Sequence, residues 1–343
     1  MSKYSFLDDY SEGCHPQILD AMAAGNLTQQ SAYGEDAYCV KARSLIQQHL
    51  NDAQTPVYFV ASGTLANLTI VSAALKPHES VISAVTGHIN LRETGAIEAT
   101  GHKIISIPSE NGKVTVDAIK QALSTHSHFP HMTRPRMVYL SNATETGTIY
   151  TLEELSQISV LCKEQGLLLL LDGARIGAAL TAQENDLTLQ SISKLVDIFW
   201  IGGTKAGALI GEAIVIPNKS IAQDFAFNVK QKGALLAKGR VLGIQFMELF
   251  TNDLFFTLGR RSNVLAQKLS RGLVEQGYSL LAKTESNQVF AILPNPIIKL
   301  LEQKFSFYLW ERLDENRSVV RLVTSWATED NQIDAFLQQI QLS

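Results

Sequence analysis

The chain has 343 residues, 45% of them hydrophobic, with a formal net charge of −4 and a pI near 6.1. That size supports a large core without disulfide staples, and the mild acidity argues against general binding to nucleic acid or anionic membrane. Cys14, Cys39 and Cys162 are odd in number and widely spaced, MSKYSFLDDYSEG turns acidic where a signal peptide would be apolar, and no apolar run is long enough to cross a membrane, so a reduced, cytoplasmic chain is predicted.

The opening stretch Phe6 to Pro16 is polar and turn-rich, and HPQILDAM begins a short helix. Tyr33-Gly34-Glu35-Asp36 precedes a second helix, where the acids suit the helix dipole. Tyr33 is a loop tyrosine placed to reach a neighbouring site. VYFVA (57–61) reads as a strand, and Ser62-Gly63-Thr64 opens the next helix. Free N–H groups there favour an anion, although Ser62 serves equally well as a cap. The turn has neither a dinucleotide nor a Walker pattern, so no nucleotide is indicated.

His88 and Glu93 follow the strand SVISAV, where a histidine can stack on a flat ring or carry a proton. His126, His128 and His131 fall in a proline-containing loop without acidic or cysteine ligands, which disfavours a metal centre. MVYLSNA leads into Thr144 and Glu145.

The run Leu167 to Gly177 is the centre of the pattern. Five leucines without helical or alternating period describe a strand covered on both faces, ending in Asp172, with Arg175 one helical turn beyond. A second buried strand, Asp197 to Gly203, ends in Thr204 and Lys205. An acid and a lysine at the carboxyl ends of sheet strands suit pyridoxal phosphate, the acid for its pyridine nitrogen and the lysine for its aldehyde.

Strand–helix alternation across 57–216 predicts a doubly covered, mostly parallel sheet. SIAQDFAFNVKQKGALLAKGR is helical in pattern, and a long helical stretch from Gly239 to Gly277 breaks at Thr251 to Asp253. The last third alternates as strands before a closing helix. Residues 1–250 therefore read as an N-terminal segment plus a large cofactor-binding domain, and 251–343 as a small α+β domain. Arg321 lies in one of its strands, either as a solvated edge charge or placed to grip a carboxylate.

YGED at Tyr33, SGT at Ser62, GHIN at Gly87, DGARIG at Asp172, GGTK at Gly202 and VRLVTSW at Val320 occur in one order along nearly the whole chain. In that order they resemble the threonine aldolase / β-eliminating lyase family of pyridoxal-phosphate enzymes, of the aspartate-aminotransferase fold type I. The resemblance implies that Lys205 forms the imine with the cofactor and Asp172 pairs with its ring nitrogen. It makes Ser62, Gly63, Thr64 and Thr204 the phosphate site and His88 the stacking residue. Arg175 and Arg321 would hold the substrate carboxylate, with Tyr33 beside the substrate. Lys238 would reach a neighbouring subunit's cofactor in a homodimer or homotetramer.

Two departures bear on the chemistry. Asn142-Ala143-Thr144-Glu145 stands where many threonine aldolases carry a second histidine, and LDDYSEG replaces a short serine-containing motif. His88 and Glu145 are therefore both candidates for the β-hydroxyl base. The implied reaction is retro-aldol cleavage of threonine-like amino acids to glycine and an aldehyde. The alternatives are β-elimination or another amino-acid transformation on the same cofactor, and, of another class, a nucleotide-binding or non-catalytic α/β protein.

Overall fold

A computed structural model describes residues 3–341. A two-residue strand β1 (Tyr4–Ser5) is followed by the strands of the main sheet: β2 (Val57–Val60), β3 (Glu79–Ala84), β4 (Ile104–Ile107), β5 (Arg134–Ser141), β6 (Leu168–Asp172), β7 (Ile198–Gly202) and β8 (Glu212–Val215). Their order is β2-β8-β7-β6-β5-β3-β4. Strands β4, β3, β5, β6 and β7 run parallel, and β8 is antiparallel to both its neighbours. The leucine run is the middle strand, buried at every position from Leu168 to Asp172. Apolar clusters cover it on both faces, with Leu169 and Leu171 in one and Leu168 and Leu170 in the other. This is the period-two partition expected of a strand covered twice.

A second, antiparallel sheet contains β9 (Ser279–Leu280), β10 (Gln288–Pro294), β12 (Tyr308–Arg312) and β13 (Arg317–Val323) in the order β12-β13-β10-β9. The short β11 (Phe305–Ser306) lies apart from it and pairs parallel with β1. Phe6 therefore packs in the C-terminal core beside Phe305 and Phe336. The 22-residue helix Leu254–Glu275 joins the two cores, with Phe255 and Leu258 in the first and Leu265, Leu269 and Leu273 in the second.

The predicted break at Thr251 to Asp253 is a short 3₁₀ turn in which Asn252 and Asp253 take φ of 53° and 56°. Two sequence expectations are corrected. The segment after β8 is not one helix but two short ones, Lys219–Ala222 and Phe225–Gln231, the second closed at Gly233 with φ 73°. A helix, Asn295–Leu301, started by Pro296 in its first turn, interrupts the C-terminal strands.

Candidate active site

A cavity of about 360 Å³ opens at the carboxyl ends of β3, β5, β6 and β7. Ser62, Gly63, Thr64, His88, Glu145, Asp172, Arg175, Thr204 and Lys205 all border it, so residues spread over 144 positions converge on one hollow. Arg175 does not sit one helical turn beyond Asp172. The chain leaves β6 through Gly173-Ala174, and Arg175 is the N-cap of the helix Ile176–Leu180.

Asp172 is 3% exposed and accepts three hydrogen bonds: from Tyr139 Oη at 2.5 Å, Asn67 Nδ2 at 3.1 Å and the Ala174 N–H at 2.9 Å. These donors make an ionised carboxylate tolerable at this depth. Lys205 lies on the strand-end turn Thr204–Ala206. Its burial, and then the nearby Arg175, lower its pKa, which raises the share of free, nucleophilic amine. Ser62 caps the helix Gly63–Ala74 by accepting the Leu65 N–H at 3.3 Å. The cap and anion readings coexist here, because the hydroxyl serves Leu65 while the first turn still borders the cavity. An added Cβ on Gly63 would meet the Trp200 ring at 2.8 Å, so that position takes no side chain.

His88 Nδ1–H donates to Glu93 Oε1 at 2.8 Å, leaving Nε2 as its acceptor. Glu93 Oε1 also accepts from Asn67 Nδ2 at 2.8 Å, and Asn67 Oδ1 accepts from the Trp200 indole at 3.0 Å. Glu145 accepts from Ser141 Oγ at 2.7 Å and from the His88 N–H at 2.9 Å. Burial pushes its pKa up. Thr204 Oγ1 donates to Glu212 Oε1 at 2.9 Å and accepts the Gly211 N–H at 3.1 Å. Burial pushes the Glu212 carboxyl up to about 8, against those hydrogen bonds and Lys205.

The arginines differ in what they hold. Arg175 donates from Nε and Nη2 to the two oxygens of Asp9, at 2.8 and 3.0 Å, and Asn287 Nδ2 donates to the same carboxylate at 2.9 Å. Burial raises the Asp9 pKa, but Arg175, Lys205 and these hydrogen bonds together outweigh it and hold the carboxyl below its ordinary range. Arg321 donates only to the Leu7 carbonyl, at 3.2 Å, while its guanidinium lies 4.8 and 5.5 Å from the rings of Tyr308 and Trp310. Its buried Nε has no partner, and among the described residues no carboxylate pairs with it. Burial, and then Arg175, disfavour its charge, a penalty that a bound anion would offset.

Tyr33 and Lys238 do not border this cavity. Tyr33 lines a separate surface hollow, its N–H donating to Ala237 O at 3.1 Å and its ring lying 4.5 Å from Lys230 Nζ. The structure therefore brings those two segments to each other, away from their own chain's Lys205.

Several site residues were not foreseen: Asp9, Tyr10, Asn67, Tyr139, Trp200 and Glu212. Asn67 carried a signal, as a lone amide in the apolar helix LANLTIVSAAL. Asp9 carried a weaker one, in the paired acids of FLDDYSEG.

A buried acid, a lysine of lowered pKa and an anion-binding helix end, gathered at the carboxyl edge of a doubly covered sheet, define an enzyme built for pyridoxal 5′-phosphate. Residues 6–295 match the model of the beta-eliminating lyases, and the chain belongs to that family. It is a pyridoxal-phosphate-dependent lyase. The low specificity L-threonine aldolase of Pseudomonas aeruginosa is 34% identical over 341 residues, covering 98% of this chain and 96% of that one. That of Pseudomonas sp. is 32% identical, covering 95% and 93%. A Leishmania major threonine aldolase structure superposes with a TM-score of 0.97 at 47% identity, covering 99% of each chain. A Thermus thermophilus aspartate aminotransferase, at TM-score 0.74 and 14% identity over 98% and 90% of the chains, shares the fold.

Proposed function

We propose that this lyase cleaves the Cα–Cβ bond of L-threonine, L-allo-threonine and related β-hydroxy amino acids, releasing glycine and an aldehyde. The observation that carries the reading is His88 at the cavity wall, with Nδ1–H committed to Glu93 and Nε2 left to accept a proton. Bound pyridoxal phosphate supplies the sink for the electron pair released when the bond breaks. Lys205 holds its aldehyde carbon, Asp172 favours a proton on its ring nitrogen, and Ser62, Gly63 and Thr64 bind its phosphate. Thr204 borders that group while tied to Glu212.

Arg321 binds the substrate carboxylate and so orients the bond to be broken. Arg175 borders the cavity with its fork already filled by Asp9, whereas Arg321 is not among the residues that line it and has no carboxylate partner among the described residues. His88 Nε2 takes the β-hydroxyl proton, and Glu93 steadies the imidazolium that forms. Glu145 is the less available acceptor, because its Oε1 already accepts two hydrogen bonds.

The chain divides near residue 251 into a large and a small domain, with the helix Leu254–Glu275 bridging them. The working unit is a homodimer or homotetramer in the cytoplasm. The free, buried Cys14, Cys39 and Cys162 suit a reducing compartment. Tyr33 and Lys238, turned from their own cavity, suit a neighbouring subunit's site. The test is purified protein loaded with pyridoxal phosphate and offered threonine, allo-threonine, serine and cysteine. Glycine with acetaldehyde from the first two is expected. Pyruvate and ammonia from serine or cysteine, with no glycine from threonine, would overturn the reading.

A further inference from the structure

Asn67 is a fully buried amide on the helix Gly63–Ala74, where Thr69 is the other fully buried polar residue. Three of its four hydrogen-bonding positions are filled, by different parts of the site. Its Nδ2 donates to Glu93 Oε1 at 2.8 Å and to Asp172 Oδ2 at 3.1 Å. Its Oδ1 accepts from Trp200 Nε1 at 3.0 Å, a donor that fixes which way the amide faces. One nitrogen thus lies between the carboxylate assigned to the ring nitrogen and the carboxylate that holds His88.

Both carboxylates are buried, at 3% and 6% exposure, and bind the same donor. Like charges so placed raise each other's pKa unless a donor lies between them. A cation there would neutralise them, but it would also weaken the pull of Asp172 on a ring proton. A neutral amide donates to both and leaves both charges intact. Glu93 Oε2 has no partner among the described residues, so Asn67 and His88 are the side-chain donors to this carboxylate there.

We infer that Asn67 is a positioning residue: its amide, donating to Asp172 and Glu93 at once, sets the two buried carboxylates relative to each other, and so couples the acid that would pair with the cofactor's ring nitrogen to the acid that holds His88. Without the amide, the two like charges lose the donor they share, and both the hold on the cofactor and the orientation of His88 loosen. The inference rests on the cofactor site and is independent of threonine being the substrate.

The dissociation constant of pyridoxal phosphate decides it, measured by cofactor fluorescence on the cofactor-free protein. Asn67→Leu keeps the branched outline and the number of side-chain heavy atoms and removes both donors. It should weaken binding about tenfold or more in the native background, and less than about threefold in Glu93→Gln, where the second charge is already gone. A residue that only supports packing would give the same loss in both backgrounds, and that additivity would overturn the inference. Asn67→Asp keeps the shape and the acceptor for Trp200 but adds a third carboxylate. It should weaken binding at least as much as Asn67→Leu, and it decides the matter alone if Asn67→Leu does not fold. Unchanged affinity in folded Asn67→Asp would also overturn the inference. Failure of the native protein to bind pyridoxal phosphate would instead remove the cofactor reading itself.

Discussion

Replacing Asp9 by asparagine tests whether the N-terminal segment is part of the site. The Arg175–Asp9 pair is closed to water, with side-chain exposures of 12% and 1%, so no allowance for solvent screening applies. Removing one member of a buried pair costs about 3–5 kcal/mol, because the other charge stays behind unpaired. Asparagine still offers one acceptor to the guanidinium, which places Asp9→Asn near the low end, about 3 kcal/mol. In urea, at the m-value expected for a chain of this size, that is a midpoint drop of up to about 1 M.

The pH dependence has a definite sign. The folded pKa of Asp9 is depressed below the ordinary carboxylate value of 3.8, so its contribution is fully present above that value and is lost as pH falls through the lower folded pKa. The gap between native and variant stability should therefore be flat from pH 5 to 8 and narrow below pH about 4. An unchanged midpoint at pH 7, or a gap that widens on acidification, would refute the pairing as the source of the stability.

Three further outcomes are expected. Arg321→Ala should raise the KM for threonine by the equivalent of about 2–5 kcal/mol while leaving cofactor affinity nearly intact, since Arg321 has no carboxylate partner within the described chain. An unchanged KM would return the substrate carboxylate to Arg175. Lys205→Ala should lose the visible cofactor band and nearly all activity, and a persisting band would move the assignment to another lysine. Mixed Lys205→Ala and Tyr33→Ala protomers should regain activity above either parent if Tyr33 serves the neighbouring site. No recovery in proven hybrids, given an inactive Tyr33→Ala parent, would assign Tyr33 to its own subunit.

The parts legible in the sequence are those whose signal is local. Five leucines ending in an acid specify a covered strand with a ligand at its end, and Asp172 lies there. Ser62-Gly63-Thr64 announces a helix start within three residues. The partners of those residues were not legible, because sequence spacing carries no trace of them. Asp9 meets Arg175 across 166 positions, and Asn67 meets Asp172 across 105. Nothing near Arg175 in the sequence pointed to Asp9, and the acid that is near it, Asp172, is bound instead by Tyr139, Asn67 and the Ala174 N–H. The two short helices after β8 were read as one because the helical pattern runs on through Gln223-Asp224, where the first ends, and through Gly233, where the backbone turns after the second.

The first dozen residues have a consequence for the order in which the enzyme is made. Tyr4 pairs with Phe305, Leu7 O accepts from Arg321, and Ser325 Oγ donates to Glu12 at 3.4 Å. Residues 4–12 thus find their place only when residues 305–325, some 300 positions later, have emerged from the ribosome. Closing a loop of about 300 residues is slow rather than costly, since its entropy grows only with the logarithm of length. Until it closes, Asp9 is away from Arg175 and a guanidinium is left to solvent at the mouth of a half-built cavity. The main sheet can fold before residues 305–325 emerge, but the completed site cannot form until they have.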